Sequence, residues 1–96
     1  MSATLEHTAP GAYRLTGSVL LTEGLGGIPL TPLELREGVA TVDVGGVEAA
    51  DSLLLALLLE WDRLARTQGG SLRLVEASAR LRALLRVTGL TSLFFG

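Results

Sequence analysis

Val42-Asp43-Val44-Gly45-Gly46-Val47 runs within a few residues into Asp51-Ser52 and then into the apolar stretch Leu53-Leu54-Leu55-Ala56-Leu57-Leu58-Leu59. A buried strand, a polar pair and a helix start meet here, so this stretch sets the layering of the fold and the place where a polar control point can sit. Val39-Ala40-Thr41-Val42-Asp43-Val44 is β-branched on both faces, which predicts a central strand covered on both sides and ended by Gly45-Gly46. Asp51 or Ser52 can accept a bond from an orphan backbone N–H, which predicts a helix from there to about Gln68, ahead of Gly69-Gly70.

Further along, Leu72-Arg73-Leu74-Val75 reads as another strand. Ser78 then caps a last long helix whose Leu81, Leu84, Leu85 and Thr88 repeat at helical spacing, with Gly89 as its stop. Strand, helix, strand, helix implies a crossover connection and parallel pairing, with helices lying on the sheet. Before the central strand, Leu5 and the alternating Tyr13-Arg14-Leu15-Thr16 flank Pro10-Gly11, the pattern of a hairpin. From Ser18 to Gly38 the signals conflict: Val19, Leu20, Leu21 and Leu25 suggest a helix, whereas Gly24, Gly26, Gly27, Pro29 and Pro32 interrupt one. Short or broken helices are expected there, one of them running from Pro32 to about Glu37 with Thr31 as its cap. Leu93-Phe94-Phe95 is an apolar tail expected to pack back onto the domain.

Ninety-six residues suffice for one domain, residues 1–96, around one core, and 48% apolar with 19% charged residues is a folded composition rather than a disordered one. A net charge of -2 offers no general basic field for a phosphate backbone, so nucleic acid is not an expected partner. Cysteine is absent and His7 is the one histidine, which excludes thiolate metal sites and histidine clusters. The N-terminus lacks a basic start followed by an apolar stretch, and no segment reaches the about 18 apolar residues of a membrane span. A soluble cytoplasmic location is the expectation.

On the helix after Asp51-Ser52, Leu54, Leu57, Leu58, Trp61, Leu64 and Ala65 fall on one stripe at about 100° per residue and are expected to face the sheet. Leu55 and Leu59 lie four apart on the far side, continuing into Asp62 and Arg66. Two readings fit them: isolated exposed leucines, or an apolar docking patch beside the helix start. Two readings also fit Ser52. As a plain N-cap it contributes about 1 kcal/mol; as a phosphorylation site it gains about two negative charges at the positive end of a helix.

Catalytic and cofactor motifs are missing. Asp51-Ser52 with His7 makes no hydrolase triad, because the serine lies outside any Gly-x-Ser-x-Gly elbow and the histidine belongs to the first strand. Gly24-Leu25-Gly26-Gly27 and Gly45-Gly46 fit neither the dinucleotide fingerprint nor the phosphate loop with its lysine. Asp43, Glu48 and Asp51 cluster near one loop, an arrangement more typical of solvated acids and caps than of a metal site. No catalytic residue, cofactor or metal is expected.

Taken in order, Val42-Asp43-Val44-Gly45-Gly46-Val47, Asp51-Ser52 opening a leucine-rich helix, Gly69-Gly70-Ser71-Leu72-Arg73-Leu74, and Leu81-Arg82-Ala83-Leu84-Leu85-Arg86-Val87-Thr88-Gly89-Leu90 with Leu93-Phe94 resemble the STAS domain family. The resemblance covers about residues 39–95 and the strand from Tyr13 to Gly17. It implies an α/β fold: a mixed sheet of about four strands, with helices packed mostly on one face. It also implies a non-enzymatic binding module. Two branches fit. In anti-sigma factor antagonists the serine after this aspartate, Ser52 here, is phosphorylated by a kinase-like anti-sigma factor. In MlaB, the STAS subunit of the Mla phospholipid transporter, the domain binds an ABC-transporter ATPase subunit, MlaF-like, and supports its activity. Leu57-Leu58-Leu59-Glu60-Trp61-Asp62-Arg63-Leu64-Ala65-Arg66 looks more like MlaB. Leu54 stands where the family usually has glycine, which bulks the junction and weighs against phosphotransfer. The expected partner-binding residues are then Asp51, Ser52, Leu55 and Leu59.

Overall fold

The computed structural model describes residues 3–90, so the expected packing of Leu93-Phe94-Phe95 lies outside the described residues. Its elements are β1 (Thr4–Ala9), β2 (Ala12–Val19), β3 (Val39–Ala50), α1 (Ser52–Thr67), β4 (Ser71–Val75) and α2 (Ala79–Val87). The strands form one mixed sheet in the order β1-β2-β3-β4, with β1 antiparallel to β2 and the β2-β3 and β3-β4 pairs parallel. This is the α/β architecture that the alternation of strands and helices implies.

The hydrophobic core lies between the sheet and its helices. Leu15 and Val19 of β2, Ala40, Val42 and Val44 of β3, and Leu72 and Leu74 of β4 supply the sheet's buried face. Leu54, Leu57, Leu58 and Trp61 of α1, with Leu81 and Leu85 of α2, pack in the same cluster. The intervening residues Val39, Thr41 and Asp43 are only half-buried. One side of β3 is therefore covered, not both. On the open side Arg14 bridges Glu6 and Asp43, each at 3.8 Å.

Gly45-Gly46 does not end β3, which continues to Ala50. Between the Arg14/Asp43 and Thr16/Gly46 pairs β3 uses three residues against two on β2, and it inserts another between the Gly17/Val47 and Ser18/Ala49 pairs. The glycines serve the first of these bulges. The Gly45 N–H donates to Asp43 Oδ1 at 2.8 Å, and a Cβ on Gly46 would lie 2.6 Å from the Thr16 Cγ2. A glycine pair reads as a stop in sequence, yet here it lets two strands approach and bend.

The two main helices end as the glycines predict. Gly69 (φ +80) and Gly89 (φ +76) take the left-handed conformation. The N–H groups of Gly70 and Leu90 reach back five residues to the carbonyls of Ala65 and Leu85, closing each last turn. Asp62, 5% exposed, accepts from the Leu72 N–H at 3.1 Å and from Arg66 Nε at 2.8 Å, which fastens α1 onto the start of β4.

Residues 20–38 contain turns and extended chain and no helix. The expected helix from Pro32 to Glu37 is replaced by a hairpin. Arg36 and Val39 exchange two backbone bonds, 2.8 and 3.0 Å, around Glu37 (φ +53) and Gly38 (φ +81). Two successive positive φ values are the hairpin-turn geometry that a helix cannot accommodate. Side-chain anchors hold the rest. Trp61 Nε1 donates to the Pro29 carbonyl at 3.2 Å, the Glu34 N–H donates to the Tyr13 hydroxyl at 2.8 Å, and Ile28 and Leu33 are buried. Trp61 thus has its ring in the core, as its place on the stripe predicts, and its N–H bonded to the loop before β3.

Gly46→Val should destabilise the domain by about 1–3 kcal/mol, since neither strand can yield without losing its register. Urea denaturation followed by circular dichroism measures this, and wild-type stability in that variant would remove the close-approach argument.

Candidate partner-binding site

The junction between β3 and α1 is built around one carboxylate. Asp51 has extended backbone and its Oδ1 accepts from the Leu53 N–H at 2.9 Å, so Asp51, not Ser52, is the N-cap of α1. The same carboxylate accepts from the Leu21 N–H, at 3.0 and 3.2 Å to its two oxygens. The Asp51 N–H donates in turn to the Val19 carbonyl at 3.2 Å. The end of β2, the loop after it, the end of β3 and the start of α1 are thereby held at a single residue.

This arrangement changes the reading of Ser52. It is the first residue of α1 and exposed, and with the capping role taken by Asp51 its hydroxyl makes no hydrogen bond among the described residues. The sequence leaves Asp51 and Ser52 both open as the cap because the two residue types cap equally well; the choice falls to Asp51, whose two oxygens serve the Leu21 loop as well.

Leu55 is 9% exposed and belongs to the core, which overturns its expected outward position. It lies two turns before Asp62, and positions seven apart share a helix face. Asp62 is bonded to β4, so the face carrying both residues looks toward that strand and is buried there. Asp62 itself, expected on the far side, is buried for the same reason. The apolar face of α1 is wider than one stripe because the sheet meets it along β3 and β4 together. Leu59 is 40% exposed, as expected. The true outward line is Ser52, Ala56, Leu59 and Arg63, all exposed and spaced by four, three and four residues. At its far end Arg63 Nε bonds Glu60 Oε1 at 2.6 Å, a bond that holds the Glu60 carboxyl below its usual range and pushes the Arg63 guanidinium up.

Two residues that sequence patterning did not single out border Ser52. Leu21, 65% exposed, is placed beside the helix start by its bond to Asp51. Val87, 84% exposed, lines the same groove as Ser52. This groove of about 550 Å³ runs between the last part of β3 (Val47, Ala49, Ala50), the start of α1 (Asp51, Ser52) and α2 (Leu81, Leu84, Val87). Val87 sits in the last turn of a helix whose core positions are Leu81 and Leu85, and its offset from them was the available signal.

His7 lies elsewhere. It stacks on Tyr13 with ring centroids 4.5 Å apart, pairs with Glu34 at 2.9 Å, and lines a separate hollow with Thr8, Ala9 and Pro10. The Asp43 and Asp51 carboxylates are taken up by the Gly45 N–H and by the Leu21 and Leu53 N–H groups. Among the described residues, no three acidic or histidine side chains come together as a metal site. No helix among them is long and apolar enough to cross a membrane.

A family model described as "Mlab, STAS domain" matches residues 30–94. The chain belongs to the STAS domain family. Within it the chain is most like MlaB, and the STAS assignment makes it a regulatory or binding module. A search of curated proteins finds no match. At the β3-α1 junction Ser52 is exposed, Leu21 is tied to Asp51, Val87 lines the same groove, and Leu59 lies two turns further along α1.

Asp51→Ala should cost about 1–2 kcal/mol, the loss of a good cap, and should speed hydrogen exchange at the Leu21 and Leu53 amides. Ser52→Ala should leave stability within about 0.5 kcal/mol, as for a surface change. Equal losses in the two variants, measured by chemical denaturation, would contradict the assignment of the cap. Leu55→Glu, by contrast, should prevent folding.

Proposed function

We propose that this chain is a non-enzymatic docking module that binds the ATPase subunit of an Mla-type phospholipid ABC transporter and supports its activity. The observation that carries the reading is the state of Ser52. Its side chain is exposed at the first turn of α1 and released from capping; exposed Val87 lines the same groove, exposed Leu21 is bonded to the neighbouring Asp51, and exposed Leu59 lies two turns further along the same helix line. Single exposed leucines are ordinary on a protein surface, but exposed apolar side chains on the loop, helix and groove next to one helix start can serve a contact patch. The match to an MlaB-described family model supports the choice of partner class. Transport and nucleotide hydrolysis belong to the partner, and the module acts by binding at Asp51, Ser52 and Leu59, with Leu55 supporting the helix from within.

A second reading has its own support in the free Ser52 hydroxyl, the group that a kinase-like anti-sigma factor would phosphorylate in an anti-sigma factor antagonist. Leu54, buried directly after the junction where the family usually has glycine, weighs against it.

Co-expression with the ATPase subunit and affinity purification discriminate the two. Leu59→Glu and Val87→Asp, both at exposed positions, should each leave the domain folded and reduce the co-purified ATPase about tenfold, with Ser52→Glu acting in the same direction. Full recovery of the ATPase with folded Leu59→Glu and Val87→Asp protein would refute the surface. Transfer of phosphate to Ser52 from a kinase-like partner and ATP, with release of that partner, would instead establish the antagonist reading.

A further inference from the structure

Strand β3 outruns one of its neighbours. It pairs with β2 as far as Ala50 and Val19, but its last pairing with β4 is Asp43 with Val75. At Glu76 (φ +61) the chain turns past Gly45 and leaves the sheet for α2. Among the described residues, the β4 side of β3 beyond Gly45 therefore has no strand beside it. The Asp51 N–H is directed at the Val19 carbonyl on β2, so the alternation of extended chain turns the main-chain groups of Ala50 to the opposite side. Glu48 is the residue inserted at the second bulge, and an inserted residue is left out of the ladder.

That open edge is one wall of the groove beside Ser52, and α2 is the other. Arg80, Leu84 and Val87, spaced by four and three residues, present one face of α2 to it. A free sheet edge suits extended chain, whose main chain can satisfy its donors and acceptors; a helix laid there would bury them unpaired. The charge is also directional. Residues 1–59 carry seven acids and two arginines, whereas residues 60–90 carry six arginines and three acids. α2 has three arginines and no acid. Arg80 makes no ion pair among the described residues, and the N-termini of both helices open on the groove. The groove's charged lining is Glu48 and Asp51 on the β3 side and Arg80 on α2. The Asp51 carboxylate is occupied by the Leu21 and Leu53 amides, so a matching segment turns an acid toward Arg80 and keeps acids away from Glu48.

We propose that the groove takes an extended segment of the partner, added as a further strand on the free edge of β3 at Glu48–Ala50, with one carboxylate of that segment against Arg80 on the α2 side. This rests on the docking reading above and specifies its mode: main-chain pairing supplies affinity, and the contacts with Arg80, Leu84 and Val87 supply selectivity.

Hydrogen exchange of the full chain, alone and in complex with the ATPase subunit, tests it. The Ala50 and Glu48 amides should exchange fast in the free chain and about tenfold or more slowly in the complex. Arg80→Glu should weaken the complex about tenfold, and Arg80→Lys should restore most of that loss. A complex that forms without protecting these amides overturns strand addition while leaving the docking reading in place. Amides already protected in the free chain overturn it as well, because the edge would then be covered by the chain itself. Failure to form any complex overturns both.

Discussion

The Asp51 carboxylate receives the N–H groups of Leu21 and Leu53 together, and its own N–H closes the β2-β3 ladder at Val19. Bonds from backbone N–H groups to an ionised carboxylate are among the stronger ones in proteins, about 1.5–3 kcal/mol each. Their geometric effect matters as much as their energy. Two stretches thirty residues apart, the end of β2 with its loop and the β3-α1 junction, are set in fixed relation at the C-terminal end of the parallel strands, the end at which α/β folds commonly place their sites. Because Asp51 does this, Ser52 is left over, and the residue that begins the helix is free to face outward.

A second constraint comes from the glycines of β3. The bulges at Gly45-Gly46 and at Glu48 lengthen the strand relative to β2 and carry it beyond the end of β4. Had Gly45-Gly46 ended the strand, the chain would have entered α1 level with the last residues of β4, with no sheet edge beside α2 to form a groove wall. The groove, the exposed Val87 and the position of Ser52 relative to α2 all follow from a strand that bends instead of stopping.

The hairpin, the central strand, both long helices, their glycine stops and the last strand are legible in the sequence because each is signalled by a local rule: alternation, a cap residue or a helical repeat. What escaped local rules was decided by tertiary partners. Residues 20–38 hold apolar residues at helix-like spacing, but Trp61 and Tyr13 supply bonds to Pro29 and Glu34 that favour extended chain, and Glu37-Gly38 turns this segment into β3. Leu55 reads as outward from a single stripe; its burial depends on β4 standing beside α1, which no helical wheel contains. The choice between Asp51 and Ser52 as cap needed Leu21, thirty residues away. Of the candidate site, the helix start and Leu59 could be found from the sequence, while Leu21 and Val87 required the fold.

The bond from Leu72 to Asp62 has a meaning beyond fastening α1. β4 is the last strand of the sheet, and a terminal strand with unengaged amides is a template on which other chains can assemble. A buried carboxylate on one of those amides, itself held by Arg66, removes a donor that a stray strand would need. One outward amide of this edge strand is thereby withdrawn from pairing with another chain, whereas the open stretch of β3 stands one strand further in, beside α2.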